Sequence, residues 1–455
     1  MTNAIQRLVD SKWENSLKKF KSGAGMSNKG KGGCLVTELR RGSRFACVVA
    51  IALGVVAAAA LPAPAQTLTI LYTFNGSPDG AYPHSPLVRD AAGNLYGNTF
   101  QGGSFGFGTI FKLNKSGKET VLFSFGTGDG AYPTQPLLRD ASGDLYGVAA
   151  EGNGGSGVVF KVSPSGHETV LHSFYGGSNN HPKVPSSGLI MDKDGNLYGA
   201  TLSGGDAKCD AHLSPYCGTV YKLAKNGKMT VLYKFKGGSD GAAPSGNLIM
   251  DQAGNLYGVT VFGGDLNCTV GIEKRGCGVV FKLDPSGNET VLYSFTGGTD
   301  GAFPTAGFGL VEDTEGNLYG VATEGGEFGN ACDAGNGQNY GCGTVFKIDQ
   351  TGKFTLLHDF SNDGSEGVAP NGGLVRDAAG NLYGTTQEAT LSGNIGGTIF
   401  RVNPTGKLTV LYNFDGLSNG AAPAAGLIRD TEGNFYGTAV FAESGKPGEV
   451  FKLTP

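Results

Sequence analysis

Apolar positions in this chain fall into three short strings, and each string recurs. The first is Asp-x-x-Gly-Asn-Leu-Tyr-Gly with small variations. It ends at Gly97, Gly147, Gly199, Gly258, Gly320, Gly384 and Gly437, at spacings of 50, 52, 59, 62, 64 and 53 residues. The second, close to Gly-Thr-Val-Phe-Lys-Leu, starts at Gly108, Gly157, Gly218, Gly278, Gly343, Gly397 and Gly448. The third, like Thr-Val-Leu-Tyr-Ser-Phe, ends at Phe74, Phe125, Phe174, Phe235, Phe295, Phe360 and Phe414. Three independent strings thus give one count of seven. Each repeat predicts four strands. In the first they are Leu87–Asp90, Asn94–Phe100 after the turn Ala91-Ala92-Gly93, Thr109–Leu113 after a Gly-rich loop, and Glu119–Phe125 after the turn Lys115-Ser116-Gly117. Short strands joined by Gly turns form antiparallel meanders, and seven such sheets packed radially cover one another's apolar faces.

The ends of the pattern predict closure. The repeat region opens with Leu68–Phe74, a fourth strand, and stops at Leu453, the end of a third. The last repeat is one strand short and the first segment supplies it, which removes a free edge. The expected fold is all-β: a seven-bladed β-propeller of four-stranded antiparallel blades, closed by the N-terminal strand joining the last blade. A solenoid of stacked units is the alternative, although its repeats are usually shorter.

Taken together, Gly-Asn-Leu-Tyr-Gly, Gly-Gly, Gly-Thr-Val-Phe-Lys-Leu and Thr-Val-Leu-Tyr-Ser-Phe resemble the bacterial GloVer tandem repeat over residues 68–453. Proteins with it are called choice-of-anchor tandem-repeat proteins, after their varied C-terminal sorting tails. The resemblance implies an exported protein without an assigned activity. This chain ends at Pro455 with no apolar tail or basic C-terminus, so anchoring by that route is not expected.

Composition adds limits. With 79 Gly and 19 Pro the chain is too turn-rich for a helical protein. Residues 1–65 hold ten Lys and Arg against three Asp and Glu; the chain's 35 and 39 less these leave 25 basic and 36 acidic groups, a net of −11. Such an acidic body is a poor nucleic-acid binder. Arg40, Arg41 and Arg44, the apolar run Phe45 to Leu61, and Ala63-Pro64-Ala65 follow the order of a secretory signal. Cleavage is expected after Ala65, leaving residues 66–455 as a single propeller without a transmembrane span. An uncleaved anchor is the rival, because 17 apolar residues are near the lower limit for a span. The Arg pair lacks the rest of a twin-Arg pattern, Cys47 has too little apolar sequence before it for a lipoprotein signal, and Met26 is an alternative start.

Six Cys remain, all between second and third strands of repeats 3, 4 and 5. Repeat phase pairs Cys209 with Cys217, Cys268 with Cys277 and Cys332 with Cys342. Export makes disulfides plausible. Zinc is the competitor, but each loop has two thiols and His212 is the sole His among them. These loops form a wall over one arc of the face that also carries the inter-blade loops. Lys208, His212, Tyr216, Lys274, Arg275, Phe328, Asp333 and Tyr340 are its candidate ligand contacts; resistance to proteolysis is the plainer purpose.

Other in-phase polar residues have structural readings beside chemical ones. Asp79, Asp129, Asp240 and Asp300, each in Asp-Gly-Ala-x-Pro, could ring a channel mouth with carboxylates for Ca²⁺, but the motif is ordinary turn chemistry. Asp90, Asp140, Asp192, Asp251, Asp313, Asp377 and Asp430 are expected to accept backbone N–H groups of the following turn. Only Asp192-Lys193-Asp194-Gly195-Asn196 resembles the start of a calcium loop, and no downstream Glu fits it. The seven Tyr of the first string are expected to pack between blades. Four repeats carry an Arg after the first apolar pair: Arg89, Arg139, Arg376 and Arg429; Met191, Met250 and Glu312 stand elsewhere. In a closed ring these four lie in adjacent blades, opposite the cystine wall. They could hold an anion such as a uronate polysaccharide bidentately, or pair with nearby Asp turns.

Catalysis finds little support. The six His do not recur in phase, no Gly-x-Ser-x-Gly or His-Glu-x-x-His occurs, and the only Trp is Trp13. No metal, cofactor or catalytic residue is expected. The reading is an exported, monomeric, non-catalytic scaffold that binds an acidic glycan or an envelope protein. A polysaccharide lyase or hydrolase with its site at the channel mouth, and a purely structural envelope protein, are the alternatives.

Overall fold

The computed structural model describes residues 66–455 apart from 127, 129, 152–154, 176–180, 207–208, 210–215, 269, 271–274, 305–307, 330–331, 333–339, 389–395, 417–419, 424 and 443–444. The expected leader, residues 1–65, falls outside them. Within Gln66–Pro455 the strands form seven separate antiparallel sheets. The first is Val88–Arg89, Leu95–Thr99, Thr109–Leu113 and Glu119–Ser124, paired in chain order. Five further blades repeat this meander. The seventh pairs Ile428–Arg429, Phe435–Ala439 and Glu449–Thr454, and then takes Thr67–Thr73 as its fourth strand. Leu68 lies opposite Leu453, Ile70 opposite Phe451 and Thr73 opposite Glu449. The chain is the seven-bladed propeller, closed head to tail.

Strand lengths differ from the expectation at the innermost position. Four residues were expected where two pair in most blades, whereas blade 4 runs Ala242–Met250. Third and fourth strands shift register at one in-phase step, such as Ile110/Phe111 and Val220/Tyr221, the mark of a bulge that adds twist. The Gly ending each Leu-Tyr-Gly has a packing cause. A Cβ at Gly97 would lie 2.7 Å from the Phe111 ring and 3.0 Å from Leu87, and Gly258 meets Phe281 and Leu248 in the same way. Small second-strand residues thus make room for a fully buried third-strand ring.

That ring is Phe in six blades and Tyr221 in the third. Tyr221 is fully buried and its hydroxyl has no partner. An unmade bond to a buried hydroxyl costs about 1–3 kcal/mol. Tyr221→Phe is therefore expected to raise stability by about 1 kcal/mol. Chemical denaturation checks it, and a lower midpoint at unchanged slope would contradict it.

Seven identical latches join the blades. Tyr82, Tyr132, Val184, Ala243, Phe303, Ala369 and Ala422 all take left-handed backbone angles, with φ between 51° and 58°. Each precedes a Pro, and each donates its N–H across a blade junction. Tyr132 donates to the Phe107 carbonyl at 2.9 Å, Val184 to Ser156 at 2.9 Å, Ala243 to Cys217 at 3.2 Å and Phe303 to Cys277 at 3.0 Å. Ala369 donates to Cys342 at 3.1 Å, Ala422 to Gly396 at 2.7 Å and Tyr82 to Pro447 at 2.6 Å, which returns to the start of the circle. A left-handed non-Gly residue costs about 1–2 kcal/mol; its recurrence at every junction shows that the latch outweighs this. The following Pro lies on the Gly that opens the third strand: a Cβ at Gly108 would be 2.9 Å from Pro133 Cδ, and one at Gly397 2.7 Å from Pro423 Cδ.

Candidate functional site

The antiparallel order gives the ring two faces. One carries the turns between first and second and between third and fourth strands. The other carries the second-to-third loops and the inter-blade segments, which the latches bind together.

On the turn face every repeat builds the same polar unit. Asp90 Oδ1 accepts the Asn94 N–H at 2.8 Å, and its Oδ2 accepts Asn94 Nδ2 at 2.8 Å and the Tyr96 hydroxyl at 3.0 Å. Asp192, Asp251, Asp377 and Asp430 repeat this set with Asn196 and Tyr198, Asn255 and Tyr257, Asn381 and Tyr383, and Asn434 and Tyr436. Asp313 does likewise with Asn317 and Tyr319. In blade 2, where Asp144 replaces the Asn, Asp140 accepts the Asp144 N–H and the Tyr146 hydroxyl. Burial works against ionisation of Asp192 and Asp313, but their hydrogen bonds outweigh it and hold both carboxyls down at about 2. Burial and the adjacent carboxylate push Tyr146 and Tyr257 up to about 12. The expected turn role of these Asp is present, and the tyrosines pack between blades, as Tyr96 does with Leu137 and Tyr319 with Leu374, while donating to Asp.

Cations flank these tyrosines. Lys112 lies over the Tyr96 ring at 5.7 Å, and Arg139 of the next blade lies over the same ring at 5.4 Å. Lys452 and Arg89 flank Tyr436 at 5.9 and 5.7 Å, and Lys347 and Arg376 flank Tyr319 at 5.8 and 5.6 Å. Arg429 sits 5.7 Å from the Phe435 ring centre, and its charge, with that of Arg401, acts on Tyr383. The four arginines thus stand at consecutive junctions, each spanning from its own turn to a neighbouring ring.

On the loop face Asp79 accepts the Tyr72 hydroxyl at 2.7 Å and the Asn75 N–H, Asp240 accepts Tyr233 and the Lys236 N–H, and Asp300 accepts Tyr293 and the Thr296 N–H. His358 Nε2 and Glu366 Oε2, 2.9 Å apart, fill this place after blade 5. These carboxylates tie the fourth strand to the turn after it, and Asp129 lies outside the described residues. Among the described residues no three His, Cys, Asp or Glu gather as metal ligands would. Glu119, facing Asp79, is pushed up to about 7 by burial, as is Glu289 beside Asp240.

Three disulfides join Cys209 to Cys217, Cys268 to Cys277 and Cys332 to Cys342, with Cα–Cα distances of 6.0, 5.8 and 5.1 Å. The second Cys of each is also the latch acceptor, so each bridge holds a blade junction as well as a loop. Such bonds fit an oxidising, extracellular or periplasmic compartment. Among the described residues no helix is long and apolar enough to cross a membrane.

Of the candidate contacts, Lys208, His212, Lys274 and Asp333 lie outside the described residues. Tyr216, Arg275 and Tyr340 occupy equivalent places and close their loops by backbone: Gly263 N–H donates to the Arg275 carbonyl at 2.8 Å and Gly325 N–H to Tyr340 at 2.7 Å, while Tyr216 bridges Gly204. Arg275 also lies 5.5 Å over the Phe262 ring. Phe328 is 46 % exposed. The structure places these four on three adjacent blades.

A family model described as the Gloeobacter/Verrucomicrobia repeat matches residues 53–213, 184–332 and 333–455. The chain belongs to that family. No curated protein matches it. Among solved structures, a gluconolactonase from Xanthomonas campestris is similar at 13 % identity and a TM-score of 0.37, covering 85 % of this chain and 89 % of its own. A second structure assigned as a gluconolactonase is similar at 11 % identity and a TM-score of 0.39, covering 86 % and 92 %. At that distance neither likeness bears on what this chain binds or does.

For a Gloeobacter/Verrucomicrobia repeat protein, the informative positions are those that turns, latches and ring packing leave exposed. Four exposed large apolar side chains stand on the loop face: Phe105 at 66 %, Tyr175 at 69 %, Leu266 at 45 % and Phe328 at 46 %. Phe105, Leu266 and Phe328 are in phase, each two residues after a Gly-Gly pair. Only Phe328 stood out from sequence; the Gly-Gly phase was the signal for the other two. The half-buried rings of Phe100, Phe107 and Tyr132 were also missed. They form a contiguous set, with centroids 5.1 and 5.8 Å from Tyr132, and His84 lies edge-on to Phe100 at 5.4 Å. Burial holds His84 down at about 4, so it stays neutral.

Proposed function

We propose that this repeat protein is an exported, non-catalytic propeller that binds a partner through its loop face. One observation carries the reading. The polar and aromatic residues common to all seven repeats are consumed by turns, latches and ring packing, whereas Phe105, Tyr175, Leu266 and Phe328 stand exposed on the loop face. Exposed large apolar groups on loops held by a rigid scaffold mark an interaction surface. The cystine wall keeps part of that surface fixed, and Phe328 stands on one of its loops. Residues 1–65 act as the export leader, with cleavage after Ala65. The fold alone licenses no activity.

The test is binding of residues 66–455 to isolated bacterial envelope and to a polysaccharide array, with a search for reducing-end or unsaturated products. The expected result is saturable binding without product, at least tenfold weaker when Phe105, Tyr175, Leu266 and Phe328 are all changed to Ser. Product release supports the enzyme alternative and contradicts this reading. Binding untouched by the four changes removes the loop face from it.

A further inference from the structure

The geometry points to the arc of Arg376, Arg429, Arg89 and Arg139 on the turn face as a binding site for a uronate-containing polysaccharide. The site lies on the face opposite the proposed partner surface and does not rest on that reading.

The argument starts with the carboxylates. In six blades the turn-face Asp spends Oδ1 on an Asn N–H and Oδ2 on neutral Asn and Tyr donors, and in blade 2 Asp140 accepts from the Asp144 N–H and the Tyr146 hydroxyl. These bonds leave the nearby guanidiniums without a salt bridge: among the described residues none of the four arginines makes an ion pair, although Arg376 interacts with the Tyr319 hydroxyl. Nε of both Arg139 and Arg376 is buried without a hydrogen-bond partner, so these two would meet a ligand only through their terminal nitrogens, whereas Arg89 and Arg429 are exposed. Their forks lie against rings, and the charge of Arg139 also acts on Asp90 across the junction without forming an ion pair. Held guanidiniums with open donors suit planar, bidentate anions.

The arc has a boundary. At the junction after blade 2 the arginine position is Met191, and Lys161 there pairs with Asp144 at 3.1 Å. At the next, Met250 takes the place and Lys222 lies 3.7 Å from Asp192. The following junction carries Glu312. Arginine therefore holds this position at four adjacent junctions and at none of the other three; at the Glu312 junction the cation over the ring is Lys282, 5.6 Å from Tyr257. Four like stations in a row match a polymer with a carboxylate at regular intervals better than a single small acid.

The same contacts argue against nucleic acid. Single-stranded nucleic acids are held by bases stacked on open rings, and here each of Tyr96, Tyr319 and Tyr436 already has two cations over it. The body's net charge of −11 further weakens long-range attraction for any polyanion, so affinity must come from short bidentate contacts.

Calorimetry of the full mature chain with a hexameric oligogalacturonate tests this. Saturable binding is expected, with no heat for a neutral hexasaccharide. R89Q/R139Q/R376Q/R429Q keeps the aliphatic stems and should weaken binding at least about a hundredfold. K161Q/K222Q removes paired cations from the same face and should change affinity less than threefold, as should F328S on the other face. Because the quadruple variant loses ring contacts, R89Q and R429Q are also made singly; these exposed arginines should each cost about tenfold with the unfolding temperature unchanged. Four results overturn the proposal: no binding, equal loss in K161Q/K222Q, binding that survives both single changes, or tighter binding of polyphosphate or single-stranded DNA.

Discussion

Removal of Gln66–Phe74 from residues 66–455 is expected to abolish the folded monomer. That segment is the fourth strand of the blade made by the chain's far end, paired from Thr67 opposite Thr454 to Thr73 opposite Glu449. Its loss leaves Glu449–Thr454 as a bare edge and empties the site of Phe74, which is fully buried and packs edge-on to Phe111 at 5.1 Å. Truncating one buried Phe to Ala typically costs about 3–5 kcal/mol. Whole-domain stabilities run to only about 5–15 kcal/mol, so losing the strand's ladder as well exceeds what most domains hold. The free edge also invites pairing between molecules. Size exclusion should show oligomers or aggregate, and a synthetic Gln66–Gly76 peptide should restore the monomer by adding the missing strand. A truncated chain that stays monomeric and melts as the parent does would show that the segment closes nothing.

Gly278→Ala should be among the most damaging single methyl additions at a blade junction. Gly278 has φ +90°, and an added Cβ would press on the Thr260 carbonyl oxygen and lie 2.7 Å from Pro304 Cδ. Backbone strain and overpacking then act together at the junction where Phe303 donates to Cys277. Strain at a positive φ and a forced shift of packed backbone cost about 1–3 kcal/mol each. A loss of about 3–5 kcal/mol is expected, read by urea denaturation with the disulfides intact. Gly106→Ala is the control: its φ is +87°, yet nothing lies within 4 Å of the added carbon. It should cost only the backbone term, about 1–2 kcal/mol. Equal losses at the two positions would show that the Pro–Gly contact between blades contributes nothing.

The blade count and the closure were legible because both follow from the phase of repeated strings, which survives errors of a residue or two. Strand ends were less legible. Leu87 was expected to begin a strand, but the pairing starts at Val88, next to the axis, where the first strand has a neighbour on one side only. The latches could not be read locally. A residue before Pro is pushed toward extended backbone, and nothing in Val184 or Phe303 announces a left-handed turn. The visible clue was wider than the Asp-Gly-Ala-x-Pro noted in four loops: Pro83, Pro133, Pro185, Pro244, Pro304, Pro370 and Pro423 recur in all seven. Cystine pairing was legible because each loop holds just two Cys in phase. Its second consequence, that Cys217, Cys277 and Cys342 also accept the latch bonds, needed coordinates. The arginine arc was visible as a sequence pattern, whereas the Tyr rings under it and the saturated Asp beside it were not.

Hydrogen exchange on residues 66–455 tests the closed ring most directly. If head and tail share a blade, the amides of Thr67–Thr73 exchange as slowly as those of Glu449–Thr454, and both speed up together with rising denaturant. Exchange of Thr67–Thr73 at the rate of a free peptide, beside a protected Glu449–Thr454, would contradict it.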